Sequence, residues 1–334
     1  MVDWMLLEGL PEITGVWMVL VILGAGTLGL IGVGWWLGRG KDPQLAQMGL
    51  SMRDGCEEGG VGEDRSLEGI SVGDESAVEG SADDNAYVMG NGCFARGEYQ
   101  AALEHYTRAI AANDAWAYVY NNRGNAYYAL GGYAEAIADY SRAVSLHPDY
   151  ARAYYNRGNA CYAGGDVEGA IASFTQAIEQ NPQYLEAYNN RGNCYVAVKA
   201  YQEAIDDFDQ ALVLNPKFTE AYNNIGHLFY QMKRYDEALE NYGQSLAIDP
   251  NQPMAVNHCG NAYLALEKVS QALESYSRAI ALSPSYAEAY HNRGIANNSA
   301  GRREAAQSDF RKALELAQQQ GNRILLQRLQ AAGG

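Results

Sequence analysis

One spacing governs most of this chain of 334 residues. Seven glycines follow one another at intervals of 34 residues: Gly90, Gly124, Gly158, Gly192, Gly226, Gly260 and Gly294. A fixed period of this length predicts one helix-turn-helix unit copied in tandem, because each unit must stack on its neighbours to bury its apolar side. The spacing therefore predicts an all-α array of repeats and not a single globular core.

Other residue types return with the same period. Near the twentieth place of each unit stands an alanine, an aromatic residue occupies the twenty-fourth place, and a small residue follows three positions later. The aromatic residues are Tyr106, Tyr140, Phe174, Phe208, Tyr242, Tyr276 and Phe310. Five units close on proline: Pro148, Pro182, Pro216, Pro250 and Pro284. The pattern resembles the tetratricopeptide repeat family in seven copies, over roughly three quarters of the chain.

The resemblance implies a right-handed superhelical solenoid of paired helices. Its seven repeats are expected at 83–116, 117–150, 151–184, 185–218, 219–252, 253–286 and 287–320, which together span 83–320. Segment 321–334 is predicted to hold a capping helix and a tail, with the helix over Asn322 to Ala332 and its leucines on the last repeat. The array then holds fourteen helices plus this one.

The glycines have a physical role that does not depend on the family. Tyr120, Gly124 and Tyr127 share one arc of a helix that turns about 100° per residue, which makes that arc the packed side. Glycine costs a helix interior about 1 kcal/mol relative to alanine. We therefore expect it to serve the close approach of the partner helix.

The N-terminal part of the chain has a different composition. After a short segment 1–12, no charged residue occurs over 13–38, and 16–37 is apolar enough to cross a hydrocarbon core of about 30 Å. Trp17, Trp35 and Trp36 stand where indole rings favour the membrane interface. We predict a transmembrane helix over 13–38. A cleaved signal peptide is the alternative, but the acidic start and the long apolar stretch disfavour it.

The flanks of this segment predict its orientation. Arg39 and Lys41 follow it and no Lys or Arg precedes it, so the positive-inside rule places the N-terminus outside and the repeats in the cytoplasm or a stromal equivalent. Segment 39–82 is acidic, rich in Gly and Ser, and predicted to be a flexible linker or, alternatively, an acidic binding tail. Gly26, Gly29 and Gly32 form a small-residue stripe through which spans could self-associate.

Charge and motif content exclude several classes of function. The formal net charge of −16 disfavours nucleic acid, whose phosphates attract Lys and Arg. The five cysteines show no CxxC spacing, so we expect buried free thiols and no zinc ribbon. We find no phosphate loop, no HExxH and no recognisable nucleophile motif, and we predict neither an enzyme nor a cofactor.

Asparagine recurs on the other arc of the first helices, although it is a mediocre helix former. In tetratricopeptide arrays this arc lines the concave surface, and the resemblance implies a ladder of amides that binds a peptide backbone. The predicted groove residues are Asn121, Asn122, Asn125, Asn156, Asn159, Asn189, Asn190, Asn193, Asn223, Asn224, Asn257, Asn261 and Asn292, with His227, His258 and His291 in place of asparagine and Tyr128, Tyr162 and Tyr230 as its apolar part. The alternative is that the asparagines bond to neighbouring units and set the superhelical pitch.

Two further expectations concern the groove. Three imidazoles would suit zinc, but these histidines stand at different heights on separate helices, so we predict no metal site. A clamp for a C-terminal carboxylate is also not expected, because the groove places are neutral or acidic apart from Arg152. The repeated arginines are expected to pair with Asp139, Asp207 and Asp309 or to lie over apolar surface.

Two functions fit these features. The first is a membrane-anchored scaffold that binds an extended peptide or protein partner in the asparagine-lined groove. The alternative is an assembly factor or chaperone for a membrane protein complex. An anchor followed by repeats resembles the organisation of photosystem-assembly proteins in cyanobacteria and plastids, and the Tyr-Asn-Arg-Gly style of the repeats is frequent in cyanobacterial arrays.

Overall fold

The structure is a computed structural model, and it describes residues 82–332. This part of the chain is entirely helical, with fifteen α-helices and no strand. The helices are α1 (Ala82–Ala95), α2 (Tyr99–Ala112), α3 (Ala117–Ala129), α4 (Tyr133–Leu146), α5 (Ala151–Gly164), α6 (Val167–Gln180), α7 (Leu185–Ala197), α8 (Tyr201–Leu214), α9 (Thr219–Gln231), α10 (Tyr235–Ile248), α11 (Pro253–Ala265), α12 (Val269–Leu282), α13 (Ala287–Ser299), α14 (Arg303–Gln319) and α15 (Arg323–Ala332).

Successive helices form seven pairs, which we number as units one to seven from α1–α2 to α13–α14. Each helix packs on the next, and the first helices of adjacent units also touch. The prediction of an α-helical repeat solenoid with fourteen helices and one extra is therefore confirmed for the described residues. The predicted transmembrane helix and linker lie outside them. Within 82–332, no helix combines the length and the apolar character needed to span a membrane.

Second helices carry the core on one face. In α4, Ala136, Tyr140 and Ala143 recur at helical spacing and are at most 2% exposed. The helix ends at His147 because the residue before Pro148 is biased toward extended backbone, which His147 adopts at φ −137° and ψ 85°. In unit seven Gln318 stands where proline is expected, and α14 runs on to 17 residues, against 14 for α4.

The extra helix α15 covers the end of the array. It begins at Arg323, one residue later than expected, because Asn322 acts as its N-cap and accepts a hydrogen bond from Leu325 N at 3.1 Å. Leu325 and Leu329 are buried against Leu316 and Ala313 of α14. The predicted capping role of this helix is confirmed.

The repeated glycine lies beneath the repeated aromatic ring. A Cβ added to Gly124 would meet Cε1 of Tyr140 at 2.7 Å, and one added to Gly158 would meet Cε1 of Phe174 at 2.6 Å. The corresponding distance is 2.5–2.7 Å in all seven units. Only glycine leaves room for the ring there, so the expected close approach is a ring of the second helix lying on the first helix.

We expect Gly158→Ala to lower the free energy of unfolding by about 1–3 kcal/mol, because the new methyl group would overlap the Phe174 ring. Gly243→Ala is the matched control. Gly243 is also helical, but a Cβ there meets nothing within 4 Å, so this change should stabilise by about 0.5–1 kcal/mol. Urea unfolding followed by circular dichroism measures both, and similar effects of the two changes would contradict the role assigned to the ring.

Candidate functional site

The first helices α3, α5, α7, α9, α11 and α13 place the predicted groove residues side by side in adjacent units. None of these residues is fully exposed. Seven are buried: Asn121, Asn159, Tyr162, Asn189, Asn190, Asn193 and Asn257. Twelve are half-buried: Asn122, Asn125, Tyr128, Asn156, Asn223, Asn224, His227, Tyr230, His258, Asn261, His291 and Asn292. The amide arc is therefore partly enclosed between units, and its side chains are less exposed than those of an open polar surface.

Hydrogen bonds join the asparagines of neighbouring units. Asn156 Nδ2 donates to Asn121 Oδ1 at 2.9 Å and to Asn125 Oδ1 at 3.2 Å, which ties α5 to α3. Asn292 Nδ2 bonds in the same way to Asn257 Oδ1 and Asn261 Oδ1, both at 3.1 Å. Three more asparagines donate across their junctions: Asn122, Asn190 and Asn224. We call this set of bonds the amide ladder.

Tyrosines of the second helices orient one row of the ladder. Tyr140 Oη donates to Asn125 Oδ1 at 2.8 Å, so this oxygen accepts hydrogen bonds from both Tyr140 and Asn156. An amide oxygen has two acceptor positions, and both are then filled. The Nδ2 group of Asn125 must therefore point away from Tyr140 and Asn156. Among the described residues, no hydrogen bond has this group as its donor.

The same arrangement holds in two other units. Tyr276 donates to Asn261 Oδ1 at 2.9 Å, and Tyr106 donates to Asn91 Oδ1 at 2.8 Å. Asn91 was not among the predicted groove residues, although its place in unit one matches that of Asn125 in unit two. The register of the glycine repeat was the signal that could have found it. We call the Nδ2 groups of Asn91, Asn125 and Asn261 the donor row.

Unit three differs because its second helix carries phenylalanine. Phe174 has no hydroxyl to offer Asn159, whose Nδ2 is buried without a hydrogen-bond partner in the described part of the chain. Two of the three tyrosines of the arc lie against the tyrosine that begins the second helix of their unit. Tyr128 lies 5.5 Å from Tyr133 between ring centroids, and Tyr230 lies 5.4 Å from Tyr235.

The three histidines separate into a pair and a single residue. The rings of His227 and His258 are 5.9 Å apart between centroids, and His258 also lies 5.6 Å from Tyr242. His291 packs on Phe310 at 5.9 Å in unit seven. Burial lowers the pKa of His258 to about 4 and lowers that of His227 and His291 below the ordinary value. Among the described residues, no group of three or more His, Cys, Asp or Glu side chains is placed to hold a metal ion.

Arginines beside the glycines bridge second helices. Arg123 donates to both carboxylate oxygens of Asp139 at 2.7 Å and to Thr107 of the preceding unit at 3.2 Å. Two units repeat this bridge, with Arg191 on Asp207 and Arg293 on Asp309. The predicted arginine–aspartate pairs are confirmed. They are bidentate and partly buried, the geometry in which such a pair is most specific.

The second residues of α3, α5, α7, α9, α11 and α13 form a largely exposed rim beside the arc. Tyr118 is 41% exposed and Met254 is 48% exposed. The other rim positions carry charged residues: Arg152, Glu186 and Glu220 are exposed, and Glu288 is half-buried and accepts a hydrogen bond from Asn322 Nδ2 at 2.7 Å. The rim is thus mixed in apolar and acidic character, with one cation.

The expected buried free thiols are also confirmed at Cys93, Cys161, Cys194 and Cys259.

Comparison with known families agrees with this geometry. A family model described as the C-terminal domain of cilia and flagella-associated protein 70 matches residues 114–332, and a tetratricopeptide repeat model matches 90–131. The chain belongs to the tetratricopeptide repeat family. Neither model indicates a catalytic family. No curated protein gives a significant match.

Solved tetratricopeptide structures are similar in fold. A tetratricopeptide repeat protein from Parabacteroides merdae aligns over 75% of this chain and 100% of its own, with a TM-score of 0.63 and 22% identity. PilF of Pseudomonas aeruginosa aligns over 66% of this chain and 98% of its own, with a TM-score of 0.53 and 20% identity. At these identities the likeness shows the fold alone.

We expect Asn156→Ala to lower the free energy of unfolding by about 1–3 kcal/mol, since it removes two ladder bonds and leaves Asn121 Oδ1 without that donor. Asn298→Ala is the matched control. Asn298 is an exposed residue of a first helix, and its replacement should alter the free energy of unfolding by no more than about 0.5 kcal/mol. Chemical unfolding compares the two, and an equally small effect of both would show that the ladder adds nothing to stacking.

Proposed function

We propose that this protein is an interaction scaffold that binds an extended segment of a protein partner along the arc of its first helices. The observation that carries the proposal is the donor row. Tyrosine hydroxyls and ladder amides donate hydrogen bonds to the Oδ1 atoms of Asn91, Asn125 and Asn261. The Nδ2 groups of these three asparagines are therefore held in a common orientation. Donors that are oriented in advance lose little entropy when a ligand binds.

Asn91 and Asn125 stand in adjacent units, and that spacing suits a peptide backbone; Asn261 stands four units further along the array. Packed helices lie about 8–10 Å apart, and an extended chain advances about 3.3 Å per residue, so adjacent units would meet about every third residue of the ligand. An amide N–H binds a backbone carbonyl without distinguishing its side chain. Each such bond adds about 0.5–1.5 kcal/mol net, and several units together are needed for useful affinity.

The rim would supply the side-chain contacts. Tyr118 and Met254 are exposed apolar groups beside the amide arc, and Tyr128 and Tyr230 are half-buried in it. Aromatic residues and methionine are enriched at protein interfaces because they bring large contact areas. The two interpretations of the asparagines are thus compatible in this proposal: Oδ1 atoms take part in stacking, and the Nδ2 groups of the donor row face the ligand.

The proposal includes a membrane anchor, which rests on the composition of 16–37 and its flanks. An anchored scaffold would concentrate its groove near membrane partners. The assembly factor for a membrane complex is the alternative. Crosslinking and mass spectrometry in native membranes separates the two, because stable stoichiometric partners favour the scaffold and unassembled subunits favour the assembly factor.

A photo-crosslinking amino acid placed at Met254 tests the groove in the full-length chain. We expect it to capture protein partners in cells, whereas the same probe at Val213, a 72% exposed position on a second helix, should not. Equal capture from both positions would overturn the assignment of the binding face.

The donor row has its own test. Asn125→Asp together with Asn261→Asp keeps the oxygens that accept from Tyr140 and Tyr276 but removes the Nδ2 donors. We expect at least a fivefold loss of crosslink yield at Met254 with little change in unfolding. Asn298→Asp, which adds one negative charge against the two of the double variant at an exposed place off the ladder, is the control. Unchanged yield in the double variant would contradict the donor role.

A further inference from the structure

The junction between units five and six differs from its neighbours in the amide ladder. His258 occupies the place from which Asn156, Asn190 and Asn292 donate at other junctions. His227 occupies the place of the donor row. Among the described residues no asparagine of unit five bonds to an asparagine of unit six. Asn223 Oδ1, which would accept such a bond, is buried without a partner, and Asn223 Nδ2 donates instead to Gln252 Oε1 at 2.9 Å. The two imidazoles meet instead, at 5.9 Å between centroids.

The arginine bridge is missing at the same junction. The three residues that form it at the next junction are Arg293, Asp309 and Ser277. Their counterparts between units five and six are Cys259, Ser275 and Gly243, none of which could make a charged bridge. Two independent kinds of inter-unit bond are thus lost at one place.

The contacts that remain across this junction are apolar packing, exposed polar bonds and the part-buried bond from Asn223 to Gln252, the residue that precedes α11. Cys259 packs on Ala238 and Tyr242, and Val256 packs near Leu246. Lys268 lies 3.5 Å from Asp236, with side chains 45% and 78% exposed, and an ion pair of that kind adds little. Arg278 Nη2 donates to Pro250 O at 2.9 Å, also at the surface. This junction therefore depends mainly on packing. The junction between units four and five also lacks the arginine bridge, since Ile225 stands in the arginine position, but it keeps the ladder bond from Asn224 to Asn189.

We propose that the junction between units five and six is a hinge that opens when the His227–His258 pair is protonated. The hinge itself does not depend on the proposed binding function, whereas its effect on a ligand does. Closed, the junction holds both imidazoles in a partly buried contact; open, it would let both rings reach water. Opening would separate the part of the groove on units one to five from the part on units six and seven. Acid would then release an extended ligand that spans both parts.

The surroundings of the pair favour its neutral form. The ionisable groups that face His258 are His227 on α9 and the phenol of Tyr242 on α10, and on its own helix the adjacent Cys259 thiol, whose pKa burial raises to about 11. Neither α12 nor α13 adds a charged interaction with His258 in the described part of the chain. No carboxylate is among the groups that act on either ring, so nothing there would stabilise an imidazolium.

The sign of the pH effect follows from these pKa values. Burial holds the pKa of His258 at about 4 in the closed junction, whereas an exposed imidazole titrates near 6.5. The open state therefore binds more protons between these values. The closed junction is favoured fully above about pH 6.5 and loses stability as the pH falls toward 4.

Hydrogen exchange of the full-length protein at pH 7.5 and pH 5.0 in EDTA, corrected for intrinsic exchange rates, tests the hinge. We expect protection of α9 and α11 to fall about tenfold or more at pH 5.0, with smaller changes in α3 and α5. His227→Asn with His258→Asn restores the ladder residues and should abolish this fall. Persistence of the fall in that double variant, or a uniform fall across all units, would overturn the proposal.

A transplant makes the test independent of the first variant. Asn125→His with Asn156→His moves the pair to the junction between units two and three, where Arg157 donates to Ser173 Oγ at 3.0 Å in place of a carboxylate. We expect acid-dependent loss of protection to arise in α3 and α5. If the transplanted pair leaves exchange there independent of pH, a histidine pair is not sufficient for opening, and the mechanism is wrong.

Discussion

The contact between an aromatic ring and a glycine is the interaction on which the rest of the array depends. In every unit the ring from the second helix lies where a Cβ of the first helix would be, at 2.5–2.7 Å. Six of the seven rings are at most 2% exposed. Because the ring lies on the glycine, the two helices of a unit approach closely, and the alanines on either side of the ring complete a tight interface.

This close packing also positions the polar side chains beside the glycine. The asparagine that follows Gly124 reaches the hydroxyl of Tyr140, and the arginine that precedes it reaches Asp139. One helix thus stacks on its partner, bonds to the preceding unit and presents oriented amide donors on its remaining side. The junction between units five and six keeps the ring on its glycine but loses the ladder bond and the arginine bridge, which is why we assign it a different behaviour.

Much of the fold could be predicted from the sequence, because repetition shows each position seven times. The paired helices, the capping helix, the Arg123–Asp139 type of pair and the buried thiols all follow from registered positions. Bonds between asparagines of neighbouring units are one of the two expectations, but the amides that pair could not be predicted, since the pairing depends on distances between units that spacing does not give. For the same reason the sequence did not distinguish the close pair His227–His258 from the separate His291. Asn91 is a different case, because the register of the glycine repeat already indicates its place beside the ladder.

A double-mutant cycle on Gly192 and Phe208 tests the central contact most directly. A Cβ on Gly192 would meet Cε1 of Phe208 at 2.6 Å, so the cost of Gly192→Ala should depend on the ring. The measurement is the free energy of unfolding of both single variants, Gly192→Ala and Phe208→Leu, and of the double variant. We predict that Gly192→Ala costs at least about 1 kcal/mol less in the Phe208→Leu background. Additive effects would contradict the account, because the glycine would then be required for a reason other than the ring.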